Sequence, residues 1–151
     1  MPKESSARQA ADSFNRVFTR FHTWSYIKSR GWLGHHWTVA PSSLLLHTTG
    51  RKSGACRSVA LVYATDGDSL LIVGSNFGQD RPPAWLLNLK AKPSAEVNLG
   101  HRRLPVVADI VEPSDARYPR LFQIVNEKNK RRYDRYTTMT DRSIPVVVLS
   151  P

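Results

Sequence analysis

From residue 42 onward the chain is a succession of short apolar runs separated by turn residues, and this rhythm constrains the fold more than any other sequence feature. Period-two or continuous apolar patterning predicts strands over 42–48, 56–64, 69–75, 95–100, 103–111 and 144–149, broken at Gly50/Gly54, Asp66-Gly67-Asp68 and Gly100-His101. Val146-Val147-Val148-Leu149 is apolar throughout, so both of its faces are expected to be buried. Two helices interrupt the strands. Pro82-Pro83 introduces "AWLLNLKA", in which Trp85, Leu86 and Leu89 form one apolar stripe and proline suits the first turn. Ser114 is placed to cap "DARYPRLFQIVNEK", with Pro119 interrupting its early turns. Six short strands, mainly hairpin-connected, predict a mainly β fold: a small antiparallel barrel with peripheral helices.

The N-terminal part reads differently. Phe14, Val17, Phe18, Phe21, Trp24 and Ile27 recur at helical spacing while Arg16, Arg20 and Lys28 fall on other faces, which predicts an amphipathic helix over 8–30 ended by Gly31. The chain is therefore divided into an N-terminal helical region, 1–30, and a barrel domain, 31–151, that begins with the connector "GWLGHHWTVAPS". Such a helix can pack on the domain or lie in the headgroup layer of an anionic membrane, and the pattern suits both.

A chain of 151 residues can bury roughly 70% of its unfolded surface as one domain, so one core is expected without metals or disulfides. A single cysteine, Cys56, supplies no intrachain disulfide and fits a reducing, cytoplasmic compartment. "MPKESSARQAADS" is too polar for a secretory signal, and no apolar run is long enough to span a bilayer. The 22 Lys and Arg against 12 Asp and Glu, a net charge of +10, call for an anionic partner. A nucleic acid, an acidic lipid surface and a polyanionic cofactor all meet that requirement. The aromatics fall mostly on apolar faces rather than between the cations, which argues against a nucleic-acid stacking platform.

Three stretches carry polar chemistry. In "HTTGRKSGACR", Gly50 and Gly54 permit a turn that presents successive backbone N–H groups to an anion. Thr49 and Ser53 add hydroxyls there, and Arg51, Lys52 and Arg57 add charge. A solvated basic turn is the plainer reading of the same residues. In "GSNFGQDRPPAW", polar donors at a strand end precede an aromatic on a helix, a combination that suits the edge and face of a planar ring system. In "RRYDRYTTMTDRSIP", Tyr133 and Tyr136 share a helical face and can line a pocket or donate protons, and Asp141-Arg142 can form a structural ion pair. His35-His36, His47 and His101 lack metal-ligand spacing, so no metal is expected, and Cys56 is expected to be a small buried apolar residue.

Taken in order, "TTGRKSGACR", "GSNFGQDRPPAWLLNLKAKP" and "YDRYTTMTDRSIPVVVLSP" resemble the deazaflavin-dependent nitroreductase and quinone reductase family, whose members use coenzyme F420; the resemblance covers roughly residues 40–151. It implies a split β-barrel like that of pyridoxamine-phosphate oxidases. It further implies that Arg51, Lys52, Ser53 and Arg57 hold the phospholactyl-oligoglutamate tail of the cofactor. Ser75 and Asn76 would meet the deazaflavin edge, Ala84 and Trp85 would lie along the ring, and Leu61 and Val62 would support it from the barrel wall. The reaction implied is hydride transfer from the reduced deazaflavin to a quinone, enone or nitroaromatic, with Tyr133 and Tyr136 covering the acceptor and Ser75 as a further donor. Some relatives carry lysine where Asn76 stands, tyrosine at Val62 and tryptophan at Met139, departures that bear on the acceptor more than on the cofactor.

The alternatives are a non-catalytic cofactor- or lipid-binding barrel and a flavin mononucleotide enzyme on the same fold, whose single short phosphate would leave much of the basic surface without purpose. The partners expected are a small-molecule electron acceptor and an anionic membrane touched peripherally through residues 1–30. The protein itself is expected as a monomer or homodimer.

Overall fold

A computed structural model describes residues 42–151. The expected helix over 8–30, the boundary after residue 30 and the connector up to residue 41 lie outside the described residues. Seven strands form one sheet: β1 (Ser43–Thr49), β2 (Cys56–Val62), β3 (Ala64–Asp66), β4 (Ser69–Val73), β5 (Ser94–Leu99), β6 (Arg102–Val111) and β7 (Val146–Ser150). Helices α1 (Ala84–Ala91), α2 (Tyr118–Lys128) and α3 (Arg132–Thr137) flank it, with a short 3-10 turn at Asn76–Gly78. Every neighbouring pair is antiparallel, in the order β2-β1-β5-β6-β7-β4-β3.

This order requires the sheet to curl. β2 and β3 occupy opposite edges, yet only Tyr63 separates them in the chain. Six strand spacings would set the edges of a flat sheet roughly 29 Å apart, whereas two residue steps reach only about 7 Å. The sheet therefore curls until its edges meet at Tyr63, whose N–H bonds the Ser42 carbonyl at 3.2 Å. The predicted strand 56–64 is thus two strands: the run was read correctly as extended, but it changes neighbours at Tyr63.

The expectation of one core is also corrected. Residues alternate between two apolar clusters on opposite faces of the sheet. Leu70, Ile72, Val147 and Leu149 point into the first with Leu44, Leu46 and α1 residues Trp85, Leu86 and Leu89. Leu71, Val73 and Val146 point into the second, beneath Leu121, Val125 and Tyr133 of α2 and α3. This explains the uninterrupted apolar runs of β4 and β7, which are covered on both faces as expected for β7. Each fully buried side chain of this kind contributes about 1.5–3 kcal/mol relative to exposure.

Helix α1 begins as predicted, with Pro83 at its N-cap. For α2 the prediction misses the start. Ser114 does not cap it; Asp115 accepts the Arg117 N–H at 2.8 Å, and Pro119 lies in the first turn, where its missing N–H costs nothing. Strand β7 starts one residue after Pro145, which cannot donate to a ladder.

Candidate functional site

The basic turn joins β1 to β2 and is held from two directions. Inside it, the Gly50 N–H bonds Ala55 O at 2.7 Å, the Gly54 N–H bonds Gly50 O at 2.7 Å, and the Ala55 N–H bonds Ser53 Oγ at 3.2 Å. Gly54 sits at φ +70, the left-handed conformation that a glycine adopts without strain. From outside, α1 reaches it through Asn88, which is only 4% exposed. Asn88 Oδ1 accepts the Arg51 N–H at 3.1 Å, and Nδ2 donates to Thr48 Oγ1 at 3.0 Å. The turn is therefore less open than a bare row of amides. Its Gly50, Arg51, Gly54 and Ala55 N–H groups are engaged within the protein, and those of Lys52 and Ser53 have no partner among the described residues. Arg51, Lys52 and Arg57 are exposed and, among the described residues, in no ion pair, whereas Arg103, Arg117, Arg120 and Arg131 are each matched by a carboxylate.

The second cluster is the loop after β4. Asn76, Phe77 and Gly78 all adopt positive φ, at 43°, 56° and 73°. A guanidinium imposes this path: Arg142 donates to the carbonyls of Gly74 (3.0 Å), Ser75 (2.7 Å), Gln79 (2.8 Å) and Ser143 (3.1 Å). Burial pulls its pKa down, partly opposed by Asp80, yet it remains a cation at any working pH. Arg142 thus braces the loop through backbone carbonyls, in place of the expected ion pair with Asp141. Asn76 commits both amide hydrogens to the same loop, to Gln79 Oε1 at 2.9 Å and Arg81 O at 2.8 Å. Its Oδ1 and the Ser75 hydroxyl have no partner among the described residues, although Ser75 is only 8% exposed.

Helix α1 sits between the two clusters. Leu86 Cδ2 lies 2.9 Å from where a Cβ on Gly74 would stand, so the helix abuts the loop on that side. Asn88, two residues on and about 200° around the axis, grips the turn on the other. One rigid element therefore sets the separation of a cationic turn from a loop edge carrying an acceptor and a hydroxyl.

The tyrosines meet the loop unequally. Tyr136, half-buried, has its ring 6.2 Å from that of Phe77 in an edge-to-face arrangement and 6.1 Å from that of Tyr133. Tyr133 is 6% exposed, packed on Phe122 at 6.4 Å, and burial followed by the neighbouring Tyr136 pushes its phenol well above the usual tyrosine range. It stays protonated. Asn126, itself buried, fixes this corner by accepting the Tyr133 N–H at 3.1 Å and donating to Asp134 Oδ1 at 2.7 Å.

The remaining sequence-predicted residues are spread around this frame. Leu61 and Val62 lie half-buried on β2, paired with Leu44 and Ser43. Ala84 is exposed at the start of α1, and Trp85 is buried in the first apolar cluster, not laid open beside the loop. The exposed aromatic there is Phe77, which sequence reasoning missed. Asn88, Arg142 and Asn126 were missed too. Asn88 carried a signal, a polar residue among the buried positions of a helix that also buries Trp85 and Leu89. Cys56 is exposed beside the turn, contrary to the buried position expected of it, because β2 begins there at the sheet edge. His47 is engaged with Ser58 Oγ at 2.7 Å and Asn98 Oδ1 at 2.6 Å.

A groove of about 320 Å³ between β3 and α2, lined by Tyr63, Thr65, Ile124, Glu127 and Lys128 among others, shares no residue with either cluster. Donor and acceptor chemistry, not concavity, marks the candidate site. Among the described residues no helix is long and apolar enough to cross a membrane.

Residues 18–151 match the family described as F420H(2)-dependent quinone reductase. An F420H(2)-dependent quinone reductase of Mycobacterium tuberculosis is 50% identical over 131 residues, 87% of this chain and 88% of that protein. Among solved structures, an F420-H2 dependent reductase is similar with a TM-score of 0.63 at 32% identity, over 72% of this chain and 93% of its own. A chain described as a domain-swapped dimer is similar with a TM-score of 0.65 at 28% identity, over 84% and 97%.

Proposed function

The chain belongs to the F420H(2)-dependent quinone reductase family, and from that premise we propose which of its residues hold the cofactor and which meet the acceptor. It is an F420-dependent oxidoreductase with the split-barrel fold, and its cofactor is reduced coenzyme F420. The observation that carries the residue assignment is α1 clamped between the cationic turn and the Ser75 loop.

The donor set fits the cofactor at both ends. A tail bearing a phosphate and several carboxylates needs more than one cation, and Arg51, Lys52 and Arg57 offer charge that no carboxylate of the described residues neutralises. Ser53 and the Lys52 and Ser53 N–H groups add neutral donors. At the ring edge, a pyrimidinedione presents an N–H between two carbonyls; the Oδ1 of Asn76, without a partner among the described residues, can accept from the one and the Ser75 hydroxyl can donate to the other. When bound, reduced coenzyme F420 would supply the reducing hydride. The chain orients it: Leu61 and Val62 form the wall, Ala84 and the backbone of Trp85 border the ring, and Tyr136 covers the acceptor, braced by Tyr133. The phenol of Tyr136 stabilises negative charge developing on an acceptor oxygen. A quinone is the acceptor named in the family's description, and its oxygens gain charge on reduction.

The test is a titration of the full chain with oxidised coenzyme F420 and with flavin mononucleotide at two salt concentrations, followed by turnover of the reduced form with a quinone, an enone and a nitroaromatic. Selective deazaflavin binding that weakens with salt, and quinone reduction outpacing the other acceptors, is expected. Selective flavin mononucleotide binding would overturn the assignment of the turn. The aromatics and cations of residues 1–30 support a peripheral contact with anionic membrane; co-sedimentation with anionic vesicles that is unchanged on deleting them would rule it out.

A further inference from the structure

Asn126 stands on the inner face of α2 beside Val125, and both are buried, although packing alone would favour an apolar side chain there. Its amide is directed at α3 instead. Oδ1 accepts the Tyr133 N–H at 3.1 Å and Nδ2 donates to Asp134 Oδ1 at 2.7 Å. A backbone N–H can only donate, which fixes the end of the amide that faces it. The Asn126 carbonyl also accepts the Arg131 N–H at 2.7 Å. These bonds enforce a joint that side chains disfavour: Lys130 and Arg131 are both left-handed, at φ 54° and 58°. Such strain persists where the surroundings over-determine it, and it gathers at functional sites.

Helix α3, six residues long, is too short to hold its own place. Among the described residues, the side-chain hydrogen bonds that tie it to another helix or strand are those of Asn126. Tyr136 follows Tyr133 on the same face with the two rings 6.1 Å apart, so whatever places Tyr133 also places Tyr136.

We infer that Asn126 is a positioning residue: it sets where α3 holds the Tyr136 phenol over the acceptor, without itself touching acceptor or cofactor. This rests on the acceptor meeting Tyr136, as proposed above. The Asn126–Asp134 pair belongs to neither the cationic turn nor the Ser75 loop, so it acts on the acceptor step and not on cofactor affinity.

Reversing the pair in the full chain tests this. Asn126→Asp alone sets two carboxylates against each other and should displace α3. Adding Asp134→Asn restores complementarity: a carboxylate at 126 accepts from the Tyr133 N–H and from the amide at 134, whose oxygen can still accept from Arg131. Isotope-labelled tyrosine rings report position directly, with Tyr63, between β2 and β3, as the reference. With oxidised coenzyme F420 bound, the single variant should move the Tyr133 and Tyr136 resonances and leave that of Tyr63, and the double variant should return them. In turnover with a quinone, the single variant should lose about tenfold in kcat/KM at unchanged cofactor affinity, and the double variant should recover it. Asp134→Leu, at a half-exposed position, loosens the same joint without burying a second charge and should move the same two resonances.

Resonances unmoved by Asn126→Asp and by Asp134→Leu, or a double variant that recovers nothing, overturn the inference and leave the reductase reading intact. Resonances that move and return while quinone kcat/KM stays constant overturn it too, by taking Tyr136 off the acceptor. The expected resonance pattern in a protein that oxidises no reduced coenzyme F420 would sustain Asn126 as the residue that places Tyr136 and remove the reductase reading.

Discussion

Asn88 holds the backbone of Arg51 at 3.1 Å from within the protein, so the cationic turn is a fixture of helix α1 and not a free loop. The same side chain donates to Thr48, whose hydroxyl in turn reaches Arg57 O at 3.5 Å. Replacing Asn88 by Leu leaves the Arg51 N–H without its acceptor and the Thr48 hydroxyl with Arg57 O alone. A loss of about 1–3 kcal/mol of stability is expected, together with weaker cofactor binding. Denaturant unfolding and a fluorescence titration on one preparation measure both; unchanged affinity would detach the turn from the site.

Lys52 and Arg57 make the opposite case. Both are exposed and unpaired among the described residues, so the double change to Ala should leave the unfolding midpoint in place. Cofactor affinity should fall by about 1–3 kcal/mol, and its dependence on salt should become shallower. Titrations at low and high salt give both quantities.

Arg142→Lys tests whether the loop needs a planar fork. An ammonium group cannot satisfy the Gly74, Ser75, Gln79 and Ser143 carbonyls together. The variant should remain folded but lose about tenfold or more in kcat with cofactor bound, since a small misplacement of a positioning element has that effect. Wild-type turnover would show that the loop keeps its path unaided.

Acid stability should report the surface pairs around α2. The Arg117 side chain, then its backbone N–H, hold the Asp115 carboxyl down at about 2, and Arg120 lowers that of Asp66. A carboxyl depressed on folding contributes stability that is present above its unfolded pKa of about 3.9. That contribution is lost as pH falls through the folded value. The decline in stability between about pH 4 and pH 2 should therefore be shallower in Asp115→Asn than in the wild type. Unfolding curves across that range check the slope.

Much of this architecture was legible in the residues. The strand runs and the Pro-led α1 were evident because turn residues punctuate them cleanly. Tyr63 was not legible as a break: its neighbours Val62 and Ala64 continue the extended pattern, and only the order of strands in space shows that the chain changes edges there. The two-sided core was half legible, since the unbroken Val146–Leu149 run announced burial on both faces without saying what covered the second. At the site, the charged and hydroxyl residues of the turn stood out by type. Arg142 did not, because a polar side chain that supports a loop from within looks in sequence like any other polar residue; Asn88 showed only as a polar residue in an otherwise apolar helical stripe. Trp85 misled for the complementary reason: an aromatic near a polar loop can as readily point inward.

The single-residue step at Tyr63 gives the sheet a common margin. Fraying that starts at β2 reaches β3 through one residue, and the reverse holds equally, so the two outer strands are expected to exchange their amide hydrogens together although five strands lie between them across the sheet. Lengthening the chain at this position would release both margins at once. An insertion at the tip of the β3–β4 turn would instead bear on that hairpin and on the Arg120–Asp66 and Ser69–Ser150 contacts at its ends, and would leave β2 in place.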